Sequence, residues 1–239
     1  MFLVEHLSRL AKDLAFFYKK IISQKKINEL EESIRSIVND LSKISLDRFF
    51  EVNKESYFRI SIIPSMSGII PEKETPLYFQ IYLGELNLGH EIKKCTVKTR
   101  EQEVMKFGKT GSYNQQIYDL MDARENGFSE VIYCSPGGDL IEATTSNILV
   151  VDREKNVVIR PVNKLLFSGI TSSKLCPVLE KMSYRVEDRD IKLTELKSSH
   201  CLLLVNSVSL VTCGLLPNLT RGDESLARTL NRELTQKEC

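Results

Sequence analysis

The sequence predicts a two-domain α/β (α+β) protein, and three observations carry that prediction. Two amphipathic helical stripes open the chain, the apolar period then changes to that of strands, and the second half sets short buried-strand runs between helical stretches. At 239 residues the chain can bury a substantial core. Leu83-Gly84-Glu85-Leu86-Asn87-Leu88-Gly89 reads as the linker, dividing a small N-terminal domain of residues 1–84 from a larger, strand-rich domain of residues 85–239. There is no repeat or low-complexity tract on either side of it.

In order, Phe2 to Ile22 places Leu3, Leu7, Leu10 and Leu14 on one helical stripe, with Arg9 beside it. Ile27 to Leu41 repeats the pattern through Ile27, Leu30, Ile34, Ile37, Val38 and Leu41. Ser56 to Ile63 and Pro76 to Leu83 are aromatic and β-branched, as strands are, and Pro64 to Thr75 is the loop between them. Lys93 to Thr99 opens the second domain. The Gly-flanked Lys109 precedes a helix with Ile117, Leu120 and Met121, for which Gly127 is the expected C-cap. Glu130 to Cys134, the apolar pair Leu140-Ile141, Ile148 to Val151 and Cys201 to Val205 read as buried strand. A helix with Leu175, Val178, Leu179 and Met182 starts near Thr171, and the last, Asp223 to Leu234, packs Leu226, Leu230 and Leu234.

Lys plus Arg total 33 against 32 Asp plus Glu, a net charge of +1. No global field then draws the chain to nucleic acid or to a membrane surface, which leaves a small molecule as the expected partner. Cysteines 95, 134, 176, 201, 213 and 239 lack paired spacing, several within apolar runs, and read as reduced thiols of a cytoplasmic protein. His6, His90 and His200 are far apart, so no metal site is expected. Glu5, Arg9, Lys12 and Asp13 interrupt the apolar N-terminus, which then reads as neither signal peptide nor bilayer span.

Glu142 is the residue that calls for chemistry. Apolar strand lies on both sides of it, and an unpaired carboxylate in such surroundings costs several kcal/mol, so it requires a cationic or proton-donating partner. Spacing alone favours a strand-end Glu facing water or an internal Arg.

Five segments, in chain order, carry a resemblance. They are His6-Leu7-Ser8-Arg9-Leu10; Lys109 ahead of its helix; Gly138-Asp139 leading to Glu142 and Ser146-Asn147; Gly169-Ile170-Thr171; and Val205-Asn206-Ser207. Together they resemble the signature of the fold-type IV pyridoxal-phosphate (PLP) enzymes. Branched-chain aminotransferases, D-amino-acid aminotransferases and aminodeoxychorismate lyases belong to that family.

The resemblance implies a D-amino-acid aminotransferase-like fold with PLP between its two domains, and a homodimer. It makes Lys109, rather than the neighbouring Lys106, the catalytic lysine that carries the cofactor and shuttles protons. A partly desolvated amine suits that task. Glu142 becomes the partner of the protonated ring nitrogen, and Arg9, Ile170, Thr171 and Ser207 surround the phosphate, with Asn206 a weaker neighbour. Guanidinium pairs bidentately with phosphate oxygens, and the first N–H groups of a helix are a ready anion site. On the residues alone, Arg9 is a solvated helix arginine, Lys109 a loop lysine in water and Thr171 an N-cap.

The sequence also departs from the family pattern. Ser172 stands where the family carries Arg after Gly-Ile-Thr, Cys213 stands where Pro usually follows Thr, and the chain begins at the His-x-x-Arg helix without the family's preceding strand pair. Two classes of function follow: a PLP enzyme, either aminodeoxychorismate lyase or an amino-acid aminotransferase, and a non-catalytic remnant of the fold. An in-frame extension upstream of Met1 encoding two strands would favour the enzyme.

Overall fold

A computed structural model of the protein describes residues 3–18, 23–43, 56–64, 77–85, 92–100, 113–162, 169–217 and 222–236. The chain divides into two compact units. The first holds helices α1 (Leu3–Tyr18) and α2 (Gln24–Lys43) and strands β1 (Ser56–Pro64) and β2 (Leu77–Glu85). The helical stripes meet as their spacing requires: Leu7 and Leu14 of α1 pack with Leu30 and Ile34 of α2, with Leu10, Ile60 and Ile62 against them. β1 and β2 pair antiparallel from Ser56↔Glu85 to Pro64↔Leu77. Leu83, Gly84 and Glu85, expected as the start of the linker, therefore belong to β2, because the ladder to Phe58, Tyr57 and Ser56 continues through them.

Among the described residues, the second unit is an eight-stranded mixed sheet with three α-helices. Its strands are β3 (Ile92–Thr99), β4 (Glu130–Cys134), β5 (Leu140–Ala143), β6 (Asn147–Asp152), β7 (Val157–Arg160), β8 (Arg185–Asp188), β9 (His200–Asn206) and β10 (Leu210–Leu215). Their order across the sheet is β5-β4-β3-β10-β9-β6-β7-β8. β3 runs parallel to both β10 and β4, and the remaining neighbours are antiparallel apart from β7 and β8. The core cluster joins Ile132, Leu140, Ile148, Val150, Leu202 and Leu204, all at most 1 % exposed. Cys95, Cys134, Cys201 and Cys213 are buried and free, and burial pushes the Cys95 and Cys213 thiols up to about 12.

Three helices complete this unit: α3 (Asn114–Glu125), α4 (Ile170–Lys181) and α5 (Glu224–Gln236). Gly127 does end α3. It sits at φ 79°, its N–H donates to Arg124 O at 3.1 Å and the Phe128 N–H donates to Ala123 O at 2.9 Å, the paired hydrogen bonds of a left-handed C-terminal cap. The buried face of α3 is Asp119 and Ala123, whereas Ile117 and Met121 are 55 % and 58 % exposed. The apolar residues that mark this helix in the sequence are thus not its packed side, because Asp119 has partners in the sheet below. α5 buries Leu226, Leu230 and Leu234, and Asn231 clamps it to β10 by exchanging two 2.9 Å hydrogen bonds with the Val211 backbone. Among the described residues no helix is long and apolar enough to cross a membrane.

Candidate functional site

β5 is where the sheet first turns irregular. Between Ile132 and Cys134 the strand β4 advances two residues, while β5 spends three between Ala143 and Leu140, so β5 carries one extra residue. Leu140 and Ala143 join Ile132 and Cys134 in the main core, and Ile141 joins Val131, Tyr133 and Ala123 on the other face. The odd residue is Glu142. A bulge of this kind re-aims a side chain, and here it brings the carboxylate to the cation that burial demands. Arg100 Nη1 donates to Glu142 Oε1 at 2.9 Å, with the two side chains 10 % and 18 % exposed.

Arg100 lies over the ring of Tyr133, its guanidinium carbon 4.0 Å from the centroid. Tyr133 donates through its hydroxyl to Asp119 Oδ2 at 2.8 Å, and Lys98 Nζ donates to Asp119 Oδ1 at 3.0 Å and to Asp122 Oδ2 at 2.7 Å. Burial and the bond to Asp119 raise the Tyr133 pKa, so this phenol stays a donor. Burial would raise Asp119 too, but the bonds from Lys98, Tyr133 and Gln115 outweigh it and leave the carboxyl below the usual range. The Asp139 turn ahead of Glu142 is built as the sequence suggests: Gly138 has φ 84°, and Ser135 Oγ donates to Asp139 Oδ2 at 2.9 Å.

The polar run after Glu142 is tied to the end of β9. Asn147 opposes Val205, and Asn206 Nδ2 donates to Ser146 Oγ at 3.0 Å. The Asn206 side-chain Oδ1 accepts from the backbone N–H groups of Val208 and Ser209, at 2.8 and 2.7 Å, which shapes the turn that presents Ser207. Ser207 Oγ stands 3.3 Å from Thr171 Oγ1 in the first turn of α4.

That helix starts at Ile170 without a side-chain cap, and its first hydrogen bond is from Ser173 N–H to Gly169 O at 3.0 Å. The N–H groups of Ile170, Thr171 and Ser172 therefore have no acceptor within the helix. Ser172 Oγ is fully buried with no hydrogen-bond partner among the described residues. Three early N–H groups with two facing hydroxyls and an orphaned third are a donor set for an anion such as a phosphate.

Gly169, the cap, is closely approached: an added Cβ would meet Asn147 Oδ1, the end of a side chain that would have to swing aside. Gly169→Ala is expected to displace Asn147, to lower stability by roughly 1–3 kcal/mol as overpacking does, and to weaken anion binding at α4. Thermal denaturation with and without inorganic phosphate checks it, and an unchanged Tm would contradict the close approach.

Of the residues singled out in the sequence, the second unit thus brings Ile170, Thr171, Asn206 and Ser207 together, and Asn206 ties them to the loop that follows Glu142. Arg9 lies half-buried on α1, in the first unit. Lys109 and Lys106 fall outside the described residues. Arg100 and the phenol of Tyr133 escaped the sequence reading, in which Ser172 figured only as a departure from the family pattern. The only signal for Arg100 was its place one residue past a strand, since its partner is 42 positions away.

The family profile of amino-transferase class IV matches residues 1–213 of the chain. Branched-chain-amino-acid aminotransferase 6 of Arabidopsis thaliana is 28 % identical over 88 residues, which are 36 % of this chain and 24 % of that protein. The match thus spans about a quarter of that relative's length. Among solved structures, the fold IV-transaminase CpuTA1 of Curtobacterium pusillum superposes with a TM-score of 0.78 at 21 % identity, covering 98 % of this chain and 79 % of that one. A putative 4-amino-4-deoxychorismate lyase of Legionella pneumophila gives 0.73 at 16 %, covering 98 % and 85 %. The mixed α/β architecture is that of the fold-type IV aminotransferase structures.

Proposed function

The chain belongs to the amino-transferase class IV family, and from that premise we propose that it is a PLP-dependent enzyme whose best reading is aminodeoxychorismate lyase. In this reading it converts 4-amino-4-deoxychorismate to 4-aminobenzoate and pyruvate, a step of folate synthesis. The observation that carries the cofactor is the anion site at α4, where Thr171 and Ser207 hydroxyls stand 3.3 Å apart beside the early helix N–H groups. A phosphate monoester fits that donor set.

When bound, PLP supplies an electron sink, and the protein supplies binding, orientation and proton movement. Thr171, Ser207 and the N–H of Ile170 would hold the phosphate, and the family resemblance assigns Arg9 to the same group. Asn206 shapes the turn that presents Ser207. Glu142 would hold a proton at the ring nitrogen, and the resemblance assigns to the amine of Lys109 the tasks of carrying the cofactor and moving the substrate proton.

The strand end Val205-Asn206-Ser207 resembles that of many of the lyases, and this favours the lyase. The second reading, a branched-chain or D-amino-acid aminotransferase, is favoured by the 88-residue match to a branched-chain aminotransferase. Both are read as a homodimer acting in the cytoplasm.

One experiment separates them. Holoprotein, its mass measured by light scattering, is given aminodeoxychorismate in one tube and a panel of branched-chain and D-amino acids with 2-oxoglutarate in another. The expected result is 4-aminobenzoate with pyruvate from a dimer. Glutamate without pyruvate would make the chain an aminotransferase, and silence in both tubes would make it a non-catalytic remnant of the fold.

A further inference from the structure

Arg100 follows β3, and its backbone N–H donates to Cys134 O at 2.8 Å, so it extends the β3-β4 ladder by one step. Its side chain crosses β4 above Tyr133 to reach the bulge in β5. Three strands and one aromatic ring therefore fix a single ion pair. An exposed pair would be worth little. This one is mostly enclosed, and each partner leaves the other costly to strand.

A glutamate has three side-chain torsions to settle, and a misplaced polar group in a site loses much of its effect. The bulge gives Glu142 its direction, and the bond at Oε1 removes the remaining freedom. The Tyr133 ring in turn limits where the guanidinium can go, and Asp119 pins the phenol from α3.

We propose that Arg100 is a positioning residue that, clamped on Tyr133, holds the Glu142 carboxylate in the one rotamer in which it serves the cofactor ring. The inference rests on the reading of Glu142 as the ring-nitrogen partner. Its described side-chain partners are Glu142 and the Tyr133 ring, so its proposed effect runs through Glu142.

That last property makes a double-mutant cycle the test. PLP is titrated into wild type, Arg100→Met, Glu142→Gln and the double variant, following the visible band of the bound cofactor and its Kd. Arg100→Met should weaken PLP about tenfold and alter the band, the size expected of coupled neighbours. In the Glu142→Gln background the same change should cost less than about twofold, since it removes a cation already lacking its carboxylate. Arg100→Lys keeps the charge and should recover to within about threefold of wild type.

Equal losses in both backgrounds, or a wild-type Kd and spectrum in Arg100→Met, overturn the inference while leaving the cofactor reading intact. If Arg100→Met does not fold by circular dichroism, Arg100→Lys replaces it in the cycle, and its smaller loss must likewise vanish in the Glu142→Gln background. A wild-type protein that takes up no PLP overturns both.

Discussion

Lys109→Ala is expected to abolish borohydride-dependent attachment of PLP and to lower turnover by about a thousandfold or more, the scale for losing a covalent catalytic group. The argument runs from local sequence to chemistry. In the sequence Lys109 lies in the small-residue run Gly108-Lys109-Thr110-Gly111-Ser112, four residues before Tyr113, the N-cap of α3. An amine that attacks an aldehyde must be neutral part of the time, which partial desolvation favours. Reduction of the PLP-loaded protein followed by peptide mass mapping should find the label on Lys109 in wild type and nowhere in the variant. Labelling of Lys109→Ala at the wild-type level, or a label on Lys106, would refute the assignment.

Much of the fold was legible because its signals are local. The stripes of α1 and α2 needed only the 3.6-residue period, and Leu7, Leu14, Leu30 and Ile34 meet as that period requires. Gly127 was legible as a helix end because a left-handed residue is wanted there. β7 and β8 were not. Each is four residues long, and β8 keeps a half-exposed charged pattern, Arg185 to Asp188, that no alternation distinguishes from loop. The helix α3 was placed rightly by its cap, but which face it buries was not legible, because Asp119 is held inside by Lys98 and Tyr133, which come from strands distant in the chain.

The candidate site divides in the same way. Thr171, Ile170 and Ser207 could be read because each lies in a short motif at an element end. The requirement for a cation at Glu142 could also be read, from burial physics, but its identity could not. Arg100 reaches Glu142 through the parallel pairing of β3 with β4, a non-local register that no spacing encodes.

Glu142→Gln is expected to keep PLP on the protein and yet to lose turnover by on the order of a hundredfold, the scale found when one preorganised charged or polar contact to a reacting system is removed. Shape is nearly conserved by this change, so cofactor uptake should survive with the phosphate contacts proposed for Thr171 and Ser207 unaltered. What changes is charge. A carboxylate can stabilise a proton on a ring nitrogen, whereas a neutral amide cannot, and the unprotonated ring withdraws electrons poorly. The substitution also leaves Arg100, only 10 % exposed, without its counter-charge. Thermal denaturation should therefore report a lower Tm for the apo variant than for wild type, and adding Arg100→Met to it should recover part of that loss. The decisive measurement compares single-turnover rates and the label on Lys109 in wild type and variant at equal PLP occupancy. A variant that holds PLP and turns over at the wild-type rate would remove Glu142 from the machinery, and the Arg100 pair would then be a sheet contact and nothing more.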